Sequence, residues 1–242
     1  KDLVIRVDMN VPLKDGYVLD ATRIEACLPT IEHALKNNAK VLLISHIGRP
    51  TEGVFDEKFS LRPVANHLSM IINKSCELIE NLDSEKIFNS DCKVQLLENI
   101  RFFEGEKTNC DELGYKLANL GDVYVFDAFG TAHRKQASTD SAIHQSEVAC
   151  AGLLLENENN FLSKVLDSYE SPYLAIIGGA KVSTKLELIK HINNVAENII
   201  VGGGIANTFI CAAGFKVGKS LFEESMIDLS LIHISEPTRP LI

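Results

Sequence analysis

Short apolar segments alternate with longer amphipathic segments along most of the chain. The apolar segments are rich in valine, isoleucine and leucine in near-continuous runs, which is typical of strands buried on both faces of a parallel sheet. Six of them are predicted to be strands, at residues 3–7, 40–44, 93–97, 122–126, 173–177 and 198–202.

The amphipathic segments repeat apolar residues at intervals of three and four, as a helix with one buried face does. They predict helices over residues 22–38, 60–72 and about 111–120. Thr22 and Glu25 have the spacing of a capping box at the start of the first helix. Because strands and helices alternate, we predict an α/β fold: a doubly wound, Rossmann-like parallel sheet with right-handed crossovers.

The pattern changes near residue 155. Residues 156–172 are polar and amphipathic, end at Pro172 and are followed directly by another strand. We therefore predict an N-terminal domain over residues 1–155, a connecting helix over residues 156–172 and a second domain that begins at residue 173.

The composition is that of a globular protein, with 45% hydrophobic and 24% charged residues. The net charge of −9 disfavours nucleic acid as a partner and makes any basic cluster a candidate site. None of the six cysteines forms a C-x-x-C pair, which favours reduced thiols in a cytoplasmic protein over a metal site. No apolar run reaches about 18 residues, so no membrane span is predicted.

Polar residues that suit anion binding follow four of the predicted strands. In a parallel sheet the carboxyl ends of the strands meet at one edge, where ligands bind. These residues, together with one in the first turn of the first helix, are Asp8, Asn10, Arg23, His46, Arg49, Arg101 and Arg134. Guanidinium groups bind phosphate and carboxylate in bidentate fashion, so we predict a site for a small, multiply charged anion. A set of unrelated salt bridges is the alternative.

Two predicted strand-to-helix turns in the second half are rich in glycine. Gly178 and Gly179 precede Lys181 and Lys185, which are four residues apart and are predicted to share one face at the start of a helix. Such a helix start favours phosphate, although the Walker A pattern is absent. The run 202–204 repeats the glycine pattern at a second turn, where close helix packing is an equal explanation.

Seven segments occur in the order in which phosphoglycerate kinases carry them. They are RVDMNVPL, TRI, SHIGRP, LLENIRF, DAFGTAHR, GGAKVSTK and GGGIANTF. From residue 1 to about residue 228, the chain resembles bacterial members of that family. The resemblance implies a cytoplasmic, monomeric, two-lobed glycolytic kinase. Its reaction transfers a phosphoryl group between 1,3-bisphosphoglycerate and Mg-ADP, giving 3-phosphoglycerate and ATP.

The resemblance also assigns roles to individual residues. The first lobe would bind 3-phosphoglycerate through Asp8, Asn10, Arg23, His46, Arg49, Arg101 and Arg134. Arg23 and Lys181 would act on the phosphoryl group in transfer, and the nucleotide would contact Lys185, Gly179 and Gly203. No metal ligand is assigned, because the ligand of Mg²⁺ is expected in a later part of the second lobe. No general base is needed, since the attacking carboxylate is already ionised.

The second lobe is expected to be incomplete, with residues 173–228 forming only its start. The family's later glycine-rich turn, its ribose-binding acidic residue and its metal-binding aspartate are not found. Lys1 lies almost inside a strand, so we expect truncation at both ends. Residues 229–242, LSLIHISEPTRPLI, match the translation of a sequencing adapter and are predicted to be non-native. We expect the chain as written to bind triose phosphate at best and to lack kinase activity.

Two other functions fit parts of the pattern. A non-catalytic anion-binding module on the same fold would use the same arginines but no nucleotide. A dinucleotide-binding oxidoreductase is suggested by VGGGIANT, but the G-x-G-x-x-G spacing fails at Asn207.

Overall fold

The computed structural model describes residues 1–167, 171–228 and 230. The chain divides into two compact units between Phe161 and Leu162, inside a helix that both units share. The strands are β1 (Asp2–Val7), β2 (Leu13–Lys14), β3 (Tyr17–Val18), β4 (Lys40–Ile44), β5 (Cys76–Ile79), β6 (Val94–Leu97), β7 (Val123–Asp127), β8 (Ala149–Ala151), β9 (Leu174–Gly179) and β10 (Asn198–Gly202). The α-helices are α1 (Thr22–Lys36), α2 (Arg62–Ile72), α3 (Asp111–Ala118), α4 (Ala142–Gln145), α5 (Leu153–Asp167), α6 (Leu186–Asn193) and α7 (Gly203–Ala212).

The first unit contains a six-stranded sheet in the order β5-β6-β4-β1-β7-β8, and all its strands are parallel. Ile5 belongs to an apolar layer that includes Ile31 of α1, whereas its neighbour Val4 belongs to a second layer that includes Leu117 of α3. Helices therefore cover both faces, which confirms the predicted doubly wound α/β fold. Strand β4 pairs with one side of β1 and β7 pairs with the other side, so the strand order reverses at β1.

All six predicted strands are present, but β5 and β8 escaped prediction. Both lie at the edges of the sheet. Their sequences, CELI and ACA, are short and lack the β-branched runs of the central strands. Edge strands are often short and more polar, because one side of each is unpaired. The small hairpin of β2 and β3 was also not predicted.

The predicted capping box of α1 is wrong. Thr22 is the first helical residue, and its hydroxyl donates to Asp20 Oδ1 at 2.6 Å. The backbone N–H of Thr22 donates to the same oxygen at 2.9 Å. The chain thus enters the helix through a turn around Asp20, which leaves Thr22 too far along the chain to cap.

A buried carboxylate holds the start of α5, three residues earlier than predicted. Asp127, at the end of β7, accepts from the backbone N–H of Leu155 at 2.9 Å and from the hydroxyl of Thr30 at 2.6 Å. The Thr30 hydroxyl oxygen in turn accepts from the N–H of Leu153 at 3.0 Å. A Cβ on Gly152 would lie 2.2 Å from the Asp127 side chain, so only glycine fits there. This contact joins β7, α1 and α5.

The second unit contains β9 and β10, which pair in parallel, with apolar residues of α6 and α7 in its core. Ala175 and Ile177 are buried, whereas Leu174 and Ile176 on the opposite face are 51% and 74% exposed. The expectation that every strand is covered on both faces is therefore wrong for β9. In the described part of the chain, no helix is long and apolar enough to cross a membrane.

Candidate anion-binding and phosphate-binding sites

The predicted anion-binding residues follow four strands that are direct neighbours in the sheet, in the order β6-β4-β1-β7. Asp8 and Asn10 follow β1, and His46 and Arg49 follow β4. Arg101 follows β6 and Arg134 follows β7, whereas Arg23 lies in the first turn of α1. The carboxyl ends of parallel strands lie at one edge, so the topology brings these loops together beside the point where the strand order reverses.

Glycine fixes the loop after β4. Gly48 has φ +59°, and a Cβ at this position would lie 2.3 Å from the Phe59 ring. Its backbone N–H donates to Asn10 Oδ1 at 3.0 Å, and its carbonyl accepts from Arg101 Nη1. Loops from three strands are thus tied together at one glycine.

Asn99 supports the same loop and was not found from the sequence. Its Oδ1 accepts from the N–H groups of Ile47, at 3.3 Å, and Arg101, at 3.1 Å. Its Nδ2 donates to the carbonyls of Ile47, at 2.8 Å, and Phe59, at 3.0 Å. This buried amide therefore sets the relative positions of the β4 and β6 loops. Asparagine in a loop is too common to signal such a role on its own.

Arg6 is the main site residue that sequence reasoning missed. It lies inside β1 and is only 1% exposed. Its Nε donates to Ser138 Oγ at 2.9 Å, and its Nη2 is 3.4 Å from His46 Nδ1. An arginine within a buried strand is a signal in itself, because a charge is rarely buried without a partner or a task.

Five guanidinium groups share this edge, and we call them the arginine cluster: Arg6, Arg23, Arg49, Arg101 and Arg134. Burial lowers the pKa of Arg101 first, and repulsion by Arg134, Arg6 and Arg49 lowers it further. The exposed Arg23 reaches back to Asp8 Oδ2 at 2.7 Å. Such a concentration of positive charge in a protein of net charge −9 creates a local field that attracts anions.

His46 is neutral at physiological pH. Burial lowers its pKa to about 2, and the charges of Arg6, Arg101, Arg134 and Arg23 act in the same direction. Its Nδ1 is 4.0 Å from Asp8 Oδ1, but the neutral ring forms no ion pair there. Since Arg6 can only donate, Nδ1 is assigned as the acceptor and Nε2 as the protonated nitrogen. His46 therefore keeps one N–H donor for a ligand.

The neutral state of His46 should make the first unit less stable in acid. The unfolded chain binds a proton at His46 below about pH 6.5, whereas the folded unit does so only near pH 2. The contribution to stability is fully present above pH 6.5 and is lost as the pH falls. Between pH 7 and pH 5, we expect the wild type to lose about 2 kcal/mol more than His46→Gln. Urea unfolding at both pH values measures this, and equal losses in the two proteins would contradict it.

Lys181 and Lys185 do not share a helical face, so that prediction is wrong. Helix α6 begins only at Leu186, and both lysines lie in the preceding turn, where Lys185 N–H donates to the Val182 carbonyl at 2.9 Å. Lys181 is exposed and Lys185 is half-buried. The Lys185 side chain passes Gly179, where an added Cβ would lie 3.3 Å from Lys185 Cε.

The two glycine turns of the second unit pack directly on each other. Gly203 has φ +65°, forms a bridge with Gly179 and could not carry a Cβ without approaching the Gly179 carbonyl to 2.9 Å. A Cβ on Gly204 would lie 2.2 Å from the Ala180 carbonyl oxygen. Close packing therefore accounts for Gly203 and Gly204, whereas a Cβ on Gly202 would meet nothing within 4 Å. The same packing places Gly179, Lys185 and Gly203 together.

Cavity size does not mark the anion site. A cavity of about 1040 Å³ opens between the β2–β3 hairpin and α2, and Lys14, Phe55, Arg62 and Phe103 are among its lining residues. None of the predicted site residues lines this cavity, so charge identifies the site better than concavity does. Within the described ranges, no three His, Cys, Asp or Glu side chains form a group that could hold a metal ion.

Comparisons of the sequence and the fold with known proteins all identify one family. The family model described as "Phosphoglycerate kinase" matches residues 1–236, which extends past residue 228, where the motif resemblance ends. The tail predicted to be non-native, apart from Ser230, lies outside the described residues, so its origin stays a prediction.

Two curated relatives are proteins named phosphoglycerate kinase. The chain is 53% identical to the protein from Desulfovibrio desulfuricans over 227 residues and 50% identical to that from Francisella tularensis subsp. novicida over 228 residues. Each alignment covers 94% of this chain and 58% of the relative. The chain thus spans a little more than half the length of the curated relatives it matches.

Two solved structures have the same fold over nearly the whole chain. The phosphoglycerate kinase from Coxiella burnetii superposes with a TM-score of 0.83 at 42% identity, covering 96% of this chain and 59% of that one. The enzyme from Pyrococcus horikoshii OT3 gives 0.76 at 32% identity, covering 96% and 60%. Together with the match over residues 1–236, these likenesses show that the chain belongs to the phosphoglycerate kinase family.

Proposed function

We propose that the protein represented by this chain catalyses reversible phosphoryl transfer between 1,3-bisphosphoglycerate and ADP, giving 3-phosphoglycerate and ATP. The main observation in support of this proposal is the arginine cluster. Five guanidinium groups and a neutral histidine converge on one sheet edge of an acidic protein. A ligand with a phosphate at one end and a carboxylate at the other satisfies this many donors.

The existing contacts suit individual parts of 3-phosphoglycerate. Arg49, Arg101 and Arg134, with His46 Nε2–H, bind the phosphate that is not transferred. Asn10 Oδ1 is already used by Gly48 N–H, which leaves its Nδ2 to donate to the ligand. Asp8 accepts from the ligand hydroxyl through an oxygen not used by Arg23. These assignments follow the family resemblance and suit the residue types, and binding measurements can test them.

Arg23 and Lys181 are the proposed catalytic residues. Arg23 is 54% exposed, and among the described residues its side chain pairs with Asp8 alone, so it is available to neutralise the ligand carboxylate and the phosphoryl group in transfer. Phosphoryl transfer requires charge neutralisation and alignment rather than a protein nucleophile or base. The cluster contains donors and no general base, in agreement with direct in-line transfer.

The second unit is proposed to begin the nucleotide-binding lobe. Lys185, Gly179 and Gly203 would contact the nucleotide, and Lys181 would contact the transferring group. Mg²⁺ would enter with ADP or ATP and neutralise phosphate charge. No step is assigned to the metal, because the described residues offer no group of ligands for it. On family grounds we propose a monomeric, cytoplasmic protein, and on net charge one that binds no nucleic acid.

The 242-residue chain is expected to bind 3-phosphoglycerate without catalysing its phosphorylation. Isothermal titration should show saturable binding that weakens with added salt, because the contacts are charged. Lys181→Ala serves as the control and should leave this affinity unchanged. A coupled assay with ATP should show no turnover. Absence of 3-phosphoglycerate binding would contradict the proposed site, and turnover would contradict the expected inactivity.

The alternative of a non-catalytic anion-binding module predicts the same binding. It differs for the longer protein, since a kinase would lose turnover in Lys181→Ala while retaining triose-phosphate affinity. If Lys181→Ala left turnover unchanged, the result would favour the non-catalytic anion-binding module, and the activity would come from another source.

A further inference from the structure

We propose that Glu106 is a positioning residue that acts through Ser138 to orient Arg6 and to hold the turn that follows Arg134. The benefit to substrate binding rests on the proposed function, whereas the orientation of Arg6 does not. Neither Glu106 nor Ser138 lies at a strand end or was singled out in the sequence.

The three side chains form a directional chain of hydrogen bonds. Arg6 Nε donates to Ser138 Oγ at 2.9 Å, and Ser138 Oγ donates its only proton to Glu106 Oε1 at 2.6 Å. Glu106 Oε2 accepts from the backbone N–H of Ser138 at 2.9 Å. An arginine can only donate and an ionised carboxylate can only accept, so the hydroxyl between them has one available orientation. This relay fixes the guanidinium plane of Arg6 together with the bond from Arg6 Nη1 to the Val7 carbonyl.

The charge of Glu106 is matched to the cluster. Glu106 is 1% exposed, and both its oxygens accept from Ser138, which is the arrangement of an ionised carboxylate. Burial raises its pKa, while Arg6, Ser138 and Arg101 act in the opposite direction. A negative charge buried near Arg6 and Arg101 offsets part of their mutual repulsion and allows both to lie at the same sheet edge.

Glu106 and Ser138 also hold the turn that comes after Arg134. Ser138 lies in the π-helical turn Ala137–Ser141, and such turns occur frequently at functional sites. The carbonyl of Ser138 accepts from the Tyr124 hydroxyl at 2.7 Å, and the Glu106 carbonyl accepts from Ala137 N–H at 3.0 Å. Thr139, next in the turn, donates its hydroxyl to the Arg134 carbonyl at 2.6 Å. Movement of Ser138 would therefore displace Arg134 as well as Arg6.

Ser138→Ala in the 242-residue chain tests the proposal with two readouts. Nitrogen-15 NMR follows the Arg6 Nε–Hε signal, assigned by its loss in Arg6→Lys, and titration calorimetry gives the affinity for 3-phosphoglycerate. In wild type we expect an Nε–Hε proton that exchanges slowly with water. In Ser138→Ala we expect fast exchange and an affinity about fivefold lower, which corresponds to one hydrogen bond of about 1 kcal/mol. Glu106→Gln should change the exchange rate and the affinity in the same directions as Ser138→Ala does.

Asp127→Asn is the matched control. Asp127 is also a buried carboxylate that accepts from one hydroxyl and one backbone N–H, but its contacts are with Thr30 and Leu155 rather than with the cluster. It should lose stability while keeping the Arg6 signal and the affinity.

The outcomes separate the two proposals. Slow exchange of Arg6 Nε–Hε in folded Ser138→Ala, or an affinity within twofold of wild type, would overturn the positioning role. If wild type itself binds no 3-phosphoglycerate, the proposed function fails, and the Arg6 signal, which needs no ligand, still decides whether Ser138 orients Arg6. If Glu106→Gln does not fold, Ser138→Ala alone decides, since it removes one buried hydroxyl and leaves the carboxylate and its backbone donor in place.

Discussion

Arg6→Met is expected to lower the free energy of unfolding of the first unit by about 3–5 kcal/mol. The substitution removes a guanidinium that is 1% exposed and leaves the buried Glu106 carboxylate with only the weaker attraction of Arg101. Removing one partner of a buried charge pair costs more than the pair itself contributes, because the remaining charge stays desolvated. Hydrogen exchange of the β1 amides, followed by mass spectrometry, reports this unit separately from the second.

Arg23→Met is the control for this prediction. Arg23 belongs to the same cluster and pairs with Asp8 at 2.7 Å, but its side chain is 54% exposed. An exposed pair contributes at most about 1 kcal/mol, so this variant should fold almost normally while still losing ligand affinity. The double variant Arg6→Met/Glu106→Gln should recover part of the stability lost in Arg6→Met. If Arg6→Met lowered the free energy of unfolding by less than about 1 kcal/mol, the buried charge of Glu106 would not need Arg6 for its stabilisation.

Arg101→Ala is expected to reduce the affinity for 3-phosphoglycerate by about 10- to 150-fold. One hydrogen bond to a charged group contributes about 1.5–3 kcal/mol, which corresponds to that range. The variant also removes the donor to the Gly48 carbonyl, so the loop that presents His46 and Arg49 loses one of its ties. Titration calorimetry at a fixed salt concentration measures the change.

Arg62→Ala provides the comparison for Arg101→Ala. Arg62 is exposed, pairs with Glu80 at 3.7 Å and lies outside the arginine cluster. Arg62→Ala removes the same formal charge from the same unit as Arg101→Ala does. It therefore controls for the general effect of net charge on anion binding. Equal losses of affinity in the two variants would contradict a specific role for Arg101.

The rule that ligands bind at the carboxyl ends of parallel strands was sufficient to predict most of the candidate anion site. It needs only the order of strands and the residues directly after each strand, so it found His46, Arg49 and Arg101 without knowledge of any contact. Arg6 escaped it because the rule considers residues beyond the end of a strand and ignores residues inside one.

The supporting residues could not have been found in this way. Glu106 and Ser138 are 32 positions apart, and the Arg6–Ser138 bond spans 132 positions. Their role depends on which side chains face each other across the packed layers, and a single sequence does not contain that information. The lysine turn of the second unit was misplaced for a related reason. The pattern around Lys181 and Lys185 is helical in period, but the turn closed by Val182 and Lys185 delays the helix until Leu186.

The Asp127 contact at the start of α5 determines where the protein can be divided. Recombinant protein ending at residue 151 would contain the whole sheet, yet it would lack the Leu153 and Leu155 amides that bond to Thr30 and Asp127. A buried acceptor left without its donor costs about 1–3 kcal/mol. The smallest self-sufficient form of the proposed triose-phosphate-binding unit therefore has to include the first turns of the connecting helix. The division between Phe161 and Leu162 is accordingly a better cutting point than the end of the sheet.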